Sequence, residues 1–179
     1  MRPDGMRVER LTDDPAEDTD PAFSPDGRSL AFISDRTDGA PRLHIMDADG
    51  SNVRIVPGGP GPEHRGPEWS PDGARLVLQV TTESGEYVYV ATPAGGWGRV
   101  KAGAFPAWAP NGDDVYLTRN DSVLVSRVST GSLRLVLADG FAARPSPDGR
   151  WLAFVRGKWP TSALYVLDLE TGIEQRLTR

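Results

Sequence analysis

The 179-residue sequence predicts an all-β fold: a β-propeller of four four-stranded antiparallel blades, forming either a small ring or part of a larger propeller. A turn phrase recurs four times, with starts 46, 39 and 37 residues apart. The strands after it are apolar at successive positions, as in sheets covered on both faces. Stacked blades explain both features, whereas a β-sandwich leaves the recurrence unexplained. The copies are SPDGRSLAF (24–32), SPDGARLVL (70–78), APNGDDVYL (109–117) and SPDGRWLAF (146–154).

The recurring phrase predicts a turn between the first two strands of each blade. Pro25 suits the second position of a type I turn, Asp26 the third, and Gly27 the positive φ that follows. In blade three, alanine and asparagine replace the usual serine and aspartate and still permit the turn. Three of the first strands end in an aromatic residue: Phe23, Trp69 and Trp108.

Two further strands complete each unit. The third strands run into glycine turns, and the fourth strands follow those turns. The 20 glycines and 16 prolines interrupt the chain too often for long helices. The third strands are LHIMDAD (43–49), EYVYVAT (86–92), SVLVSRV (122–128) and ALYVLDL (163–169); the fourth are NVRIV (52–56), GRVK (98–101), SLRLVL (132–137) and EQRLT (174–178).

These strands predict one domain over residues 1–179. An extra outer strand is expected within residues 1–14, where VERLT spans Val8 to Thr12 although the last blade already ends in its own EQRLT. The predicted blades are residues 15–57, 58–101, 102–138 and 139–179. A segment of a longer propeller, with an unpaired blade face that favours self-association, is the simplest interpretation. A closed four-bladed ring is the alternative.

Composition excludes several classes of protein. A net charge of −5 with 38% hydrophobic residues gives no general attraction to nucleic acid or anionic lipid. There is no cysteine, and therefore no disulfide or thiolate site. The N-terminal stretch lacks the apolar core of a signal peptide, and no apolar run is long enough to insert into a membrane. We expect a chain that stays where it is made, in the cytoplasm as written.

The first repeat, Leu11 to Val56, resembles the repeat of TolB-type β-propellers, which are relatives of WD-repeat propellers. The resemblance covers essentially the whole chain in four blades. It implies a TolB-like fold whose members are mostly non-enzymatic interaction platforms; in the namesake, a periplasmic protein, the propeller binds partners of a cell-envelope complex. The same repeat forms the non-catalytic propeller of prolyl oligopeptidase-type peptidases.

The sequence departs from this family in three respects. Relatives usually close with six to eight blades, and this chain encodes four. Pro145 stands where the other blades have an aromatic residue, so the inner strand of blade four should pack differently. The namesake's export signal and additional N-terminal domain are missing, which weakens the expectation of a cell-envelope role.

The loops that lead into the inner strands are the predicted binding site, because they should meet at the mouth of the central channel. Mixed charges with aromatic side chains suit a protein or peptide partner. His64 lies in one of these loops, PEHRGPEW, where a solvated charged loop is the alternative interpretation. The predicted binding residues are Asp18, Asp20, His64, Arg65, Glu68, Phe105, Phe141 and Arg144.

No catalytic motif is present in the sequence. It lacks G-x-S-x-G, a P-loop, a dinucleotide fingerprint and H-E-x-x-H. DADGSN (47–52) has the first spacings of a calcium loop, but its twelfth position is Gly58 where a glutamate is needed, so no metal or cofactor is predicted.

Three classes of function remain. A non-enzymatic scaffold for protein–protein interaction is the first, and the propeller segment of a peptidase or another larger propeller protein is the alternative. A carbohydrate-active or lyase propeller is disfavoured because the chain has only two histidines.

Overall fold

The computed structural model describes residues 8–158 and 160–178. In this part of the chain there is no helix, and sixteen strands form four four-stranded antiparallel sheets, which confirms the predicted fold class. Blade 1 contains β1 (Asp18–Phe23), β2 (Ser29–Ser34), β3 (Arg42–Asp47) and β4 (Arg54–Ile55), and blade 2 contains β5 (Glu63–Trp69), β6 (Leu76–Thr82), β7 (Gly85–Ala91) and β8 (Trp97–Ala102). Blade 3 contains β9 (Ala104–Trp108), β10 (Asp114–Arg119), β11 (Ser122–Arg127) and β12 (Leu133–Ala138), and blade 4 contains β13 (Phe141–Pro145), β14 (Trp151–Arg156), β15 (Ala163–Asp168) and β16 (Glu174–Arg176).

The recurring phrase forms the turn between the first two strands of each blade. Ser24 Oγ donates to the carboxylate of Asp26 at 2.6 Å and accepts the N–H of Ser29 at 3.0 Å. Gly27 has φ +70°, in the left-handed region that glycine enters without strain. In blade 3 the amide oxygen of Asn111 accepts two backbone N–H groups instead, so the turn forms without the serine.

Each sheet is buried on both faces where it has a neighbour on each side. We call the face toward the preceding blade the leading face and the face toward the next blade the trailing face. Leu76 on the leading face of blade 2 packs with Ala31 and Ile45 of blade 1, whereas Val77 on its trailing face packs with Val115 of blade 3. A third cluster joins blades 3 and 4 in the same way. This alternation is why the strands are apolar at successive positions.

A tryptophan fixes the inner edge of two inter-blade contacts. The indole N–H of Trp69 donates to the carbonyl of Ala22 at 3.0 Å, and that of Trp108 to the carbonyl of Glu68 at 3.2 Å. Proline cannot repeat this bond in blade 4, where the guanidinium of Arg144 donates to the carbonyl of Pro106 at 2.9 Å. The inner strand of blade 4 therefore does pack differently.

The two ends of the array differ from its interior. Phe23 occupies the position of Trp69 but is 60% exposed, because none of the described strands forms a blade on its side of blade 1. Within the described ranges, no strand of blade 4 packs on blade 1 in the way that neighbouring blades pack on each other. The four described blades therefore form an open array and not a closed ring.

The extra outer strand expected within residues 1–14 is wrong for residues 8–12, which are irregular, while residues 1–7 lie outside the described residues. A fourth strand needs the free edge of a third strand, and β4 already occupies the edge of blade 1. Leu11 instead packs on Leu30, Phe32 and Met46 of the leading face. The segment thus covers part of that face as irregular chain. Among residues 8–158 and 160–178, no helix could span a membrane.

Candidate functional site

A bulge with positive φ interrupts every inner strand at the same place. The ladder between the first two strands shifts register there in all four blades. Proline follows the bulge in blades 1 to 3 and prevents continuous pairing. The segments that the sequence analysis expected to be loops leading into the inner strands are therefore the first halves of those strands. The bulge bends each strand at its middle. The positive-φ residues are Asp20 (51°), Gly66 (54°), Phe105 (51°) and Ala142 (52°).

The backbone N–H of three bulge residues is bound by the preceding blade. The N–H of Phe105 donates to the side-chain oxygen of Gln79 at 3.3 Å, and that of Ala142 to the hydroxyl of Thr118 at 3.0 Å. In blade 2 the N–H of Gly66 donates to the carboxylate of Asp20 at 2.9 Å. Each of these bonds fixes the bulge of one blade to a side chain of the preceding blade. Adjacent blades therefore build the site together.

Four of the predicted residues line one cavity of about 300 Å³ at this end of the blades, together with residues of β6, β7 and the bulges. We call it the mouth cavity. The structure thus brings together side chains that lie up to 124 residues apart in the chain. The lining combines two arginines with two carboxylates and one aromatic ring. The four predicted residues are Asp20, Arg65, Phe105 and Arg144, and the others are Gly66, Gln79, Glu86, Ala104 and Pro106.

Phe105 is the unusual member of this cavity. A bulky residue rarely adopts positive φ, and the conformation costs about 1–2 kcal/mol. Its ring is nevertheless 48% exposed, and its centroid lies 6.3 Å from that of Phe141. A strained residue with an exposed ring is an observation from which a binding role can be inferred.

The charged groups around the aromatic pair differ in how strongly their contacts within the protein fix them. Arg65 pairs with Glu63 at an exposed site, where such pairs contribute little, so its guanidinium can exchange partners. Arg144 is tied to the carbonyl of Pro106 through one nitrogen. Glu68 lies beneath the cavity wall: its carboxylate accepts the N–H of Trp108 at 2.9 Å, and burial raises its pKa against the opposing effects of that bond and of Arg144.

Asp18 and His64 do not line the mouth cavity. Burial would raise the pKa of Asp18, but hydrogen bonds, with Ser34, Arg36 and Thr12 as partners, outweigh it and lower that pKa. The guanidinium of Arg36 reaches both carboxylate oxygens of Asp18 at 2.8 Å. This carboxylate is therefore engaged within blade 1.

His64 joins blades 1 and 2 from a buried position. It is only 1% exposed, its Nδ1 accepts the N–H of Leu43 at 3.1 Å, and its Nε2 donates to the carbonyl of Pro60 at 2.9 Å. Burial lowers its pKa, and the bond from Leu43 needs an unprotonated Nδ1. The ring is thus a neutral structural element and is not part of a solvated loop.

Gln79 and Glu86 are the site residues that sequence reasoning missed. They lie diagonally across from each other on the same face of the paired strands β6 and β7. The amide of Gln79 donates to Glu86 at 2.8 Å. The signal was a single amide inside the apolar run LVLQV. Within the described residues, no three His, Asp or Glu side chains are grouped so as to hold a metal ion.

Comparisons with known proteins identify the family. The family model described as TolB beta propeller domain matches residues 1–113. Over 144 residues, 76% of this chain and 21% of the relative, the chain is 36% identical to a protein named uncharacterized peptidase YuxL from Bacillus subtilis. Over 180 residues, 94% of this chain and 30% of the relative, it is 33% identical to a TolB homolog from Chlorobium luteolum.

A solved structure agrees with the fold. TolB from Acinetobacter baumannii superposes with a TM-score of 0.80 at 18% identity, over 98% of this chain and 47% of that one. The chain spans between about a fifth and a third of the length of the two sequence relatives. The recurring turn, the four stacked sheets and the family match together show that the chain belongs to the TolB β-propeller family.

Proposed function

We propose that the chain is a non-enzymatic platform that holds a polypeptide segment at the channel mouth. The observation that carries this proposal is the exposed Phe105, kept at positive φ beside Phe141 and between two arginines. Binding energy in protein interfaces concentrates in aromatic and arginine anchors. The cavity of about 300 Å³ has room for one apolar side chain of a partner.

The charges around the cavity favour a peptide with groups of both signs. Arg65 and Arg144 can donate to a carboxylate, while Asp20 and Glu86 can bind a cation. Such mixed rims add specificity and association rate more than affinity. The partner we infer is therefore an extended segment with one aromatic or aliphatic anchor and charged flanking residues.

The test is selection of peptides from a random 12-residue phage library, followed by fluorescence anisotropy with the selected peptide. Phe105→Ala should weaken binding at least tenfold, the effect of losing a hot-spot contact of about 1.4 kcal/mol or more. Leu135→Ala is the matched control, because Leu135 is an exposed apolar side chain on outer strand β12, away from the mouth. Failure to select any peptide, or equal binding by the Phe105→Ala protein, would remove this proposal.

A second candidate function is the propeller part of a peptidase. It is favoured by the relative named as a peptidase, which is 36% identical over 144 residues. In that case the propeller would accompany a hydrolase domain carrying G-x-S-x-G. Sequencing the complete reading frame around this chain decides between the platform and the peptidase proposals. A frame without a hydrolase domain would refute the peptidase proposal.

A further inference from the structure

A second cavity lies between blades 2 and 3, at the opposite end of the blades from the channel mouth. Its volume is about 380 Å³. Arg75 precedes β6 and lines this cavity, whereas Glu86 begins β7 and lines the mouth, so the two sites lie at opposite ends of one hairpin. Val90 and Val100 form its wall on blade 2, and Ser126 and Val128 form its wall on blade 3. We call this cavity the rim groove.

The other two inter-blade contacts also have cavities, of about 510 Å³ between blades 1 and 2 and about 320 Å³ between blades 3 and 4, and they differ from the rim groove at one register position. Gly98 pairs with Val90, and the same position in blades 1 and 3 is an arginine, Arg54 or Arg134. The guanidinium of Arg54 crosses to blade 2 and donates to the carbonyl of Pro93 at 2.8 Å. A Cβ on Gly98 would meet no atom within 4 Å, and its φ is not in the left-handed region. Neither packing nor backbone conformation requires this glycine, so the rim groove has space where Arg54 and Arg134 line the other two cavities.

Ser126 supplies an unpartnered polar group on the wall of the rim groove. It pairs with Val115, which faces blade 2, so the serine side chain is on the same face. The corresponding positions in the other blades are apolar: Met46, Ala91 and Leu167. Ser126 is 0% exposed, and its hydroxyl has no hydrogen-bond partner among the residues that the structure describes. Buried hydroxyl groups without a partner are uncommon and indicate an absent one.

Three arginines line the rim groove: Arg75, Arg99 and Arg127. Arg127 is paired with Asp114, and Arg99 lies over the ring of Tyr87. Arg75 is therefore the candidate to bind an anion. One guanidinium nitrogen donates to the carbonyl of Gly112 at 2.6 Å, and the group lies 5.0 Å from the ring centre of Trp108. Within residues 8–158 and 160–178 Arg75 forms no ion pair, although a guanidinium has five N–H donors. A carboxylate satisfies such a donor set best, because its two oxygens match the fork of the guanidinium.

We propose that the rim groove binds a carboxylate carried on a short apolar stem. Arg75 and the hydroxyl of Ser126 bind the carboxylate, and Val90 and Val100 contact the stem. The ligand is either a small organic acid or the C-terminus of a peptide, since both present the same group. The site is independent of the channel mouth and of the function proposed for it.

The test is isothermal titration calorimetry at pH 7.5 with 4-phenylbutyrate and with its neutral amide as probes. The acid should bind and the amide should bind at least tenfold more weakly, since the amide cannot pair with the guanidinium. Ser126→Ala should weaken the acid about three- to tenfold, as expected for one hydrogen bond. Alanine is tolerated there because Ala91 occupies the same position in blade 2.

Two substitutions at one register position provide the decisive comparison. Gly98→Leu should abolish binding by placing an uncharged side chain in the groove, without lowering the melting temperature, because a Cβ there meets no atom within 4 Å. Arg134→Leu is the matched control and should leave binding unchanged. Equal binding of acid and amide, or binding that survives Gly98→Leu in a folded protein, would overturn the proposal.

The source of the carboxylate is tested with a tetrapeptide ending in phenylalanine, free or amidated at its C-terminus. Tighter binding of the free peptide than of phenylbutyrate identifies a peptide terminus as the ligand, and tighter binding of phenylbutyrate identifies a small acid. Either result supports the proposal that the rim groove binds a carboxylate. Absence of binding by both acids at millimolar concentration would refute it.

Discussion

Trp69 and Phe23 occupy the same position in consecutive blades but differ in what covers them. Trp69 is 8% exposed and its indole donates to the carbonyl of Ala22, whereas Phe23 is 60% exposed. Replacing each with alanine therefore removes a similar ring from two different environments. The pair tests whether the leading face of blade 1 is free of a preceding blade.

The structure gives the expected magnitudes. Truncating a buried tryptophan costs about 3–5 kcal/mol, because the lost transfer free energy adds to that of the cavity. A fully buried phenylalanine is worth about 1.5–3 kcal/mol, so a ring that is mostly exposed loses about 1 kcal/mol or less. We expect Trp69→Ala to lower the free energy of unfolding at least three times as much as Phe23→Ala does.

The assay is urea unfolding followed by far-ultraviolet circular dichroism at pH 7.5 and two protein concentrations. Free energies come from linear extrapolation, and the slope with urea should match that of the parent protein. If Phe23→Ala costs as much as Trp69→Ala, the leading face is covered in solution and the open array is wrong. A cost that grows with protein concentration would identify a second copy as the cover.

Three further predictions concern buried polar groups. Burial lowers the pKa of His64 and that of His44 below about 6.5, so the unfolded chain binds more protons than the folded one just below that pH. The contribution of each histidine to the free energy of unfolding should be complete above that pH and fall by at most about 1.4 kcal/mol per pH unit as pH decreases, measured by urea unfolding at pH 7.5, 6.5 and 5.5. His64→Gln should flatten this dependence. Burial raises the pKa of Glu68, so burying its charged form costs free energy. Glu68→Gln keeps an oxygen that accepts the N–H of Trp108 and should melt at the same temperature as the parent protein or higher. Ser24→Ala removes the two turn bonds of its hydroxyl and should cost about 1 kcal/mol in urea unfolding.

The contradicting outcomes are specific for each substitution. An unchanged pH dependence in His64→Gln would show that another group controls acid stability. A clear loss of melting temperature in Glu68→Gln would mean that the ionised carboxylate is needed to hold Trp108. No loss in Ser24→Ala would show that the turn in blade 1 tolerates alanine as well as the turn at Ala109 does.

Sequence reasoning located four of the residues that line the mouth cavity, and it did so through topology. The segments that enter inner strands are brought together by any stack of blades, so Arg65, Phe105 and Arg144 were predictable from repeat position. His64 is buried and not solvated, although it lines a neighbouring cavity of about 440 Å³ with Asp20 and Arg65. Its contact with Leu43 of blade 1 was not evident from the sequence, because it depends on how the two blades pack.

The sequence by itself determined the turns, the order of strands within each blade and the stacking of the blades. Turn chemistry acts over four residues, and strands apolar on both faces need cover on both faces, so each signal is local. The tertiary structure alone decided which positions are equivalent between blades, and hence that Gly98 stands in the rim groove where Arg54 lines the cavity between blades 1 and 2. That equivalence depends on register, which the bulges shift by one residue, and such a shift moves a side chain to the opposite face of the sheet.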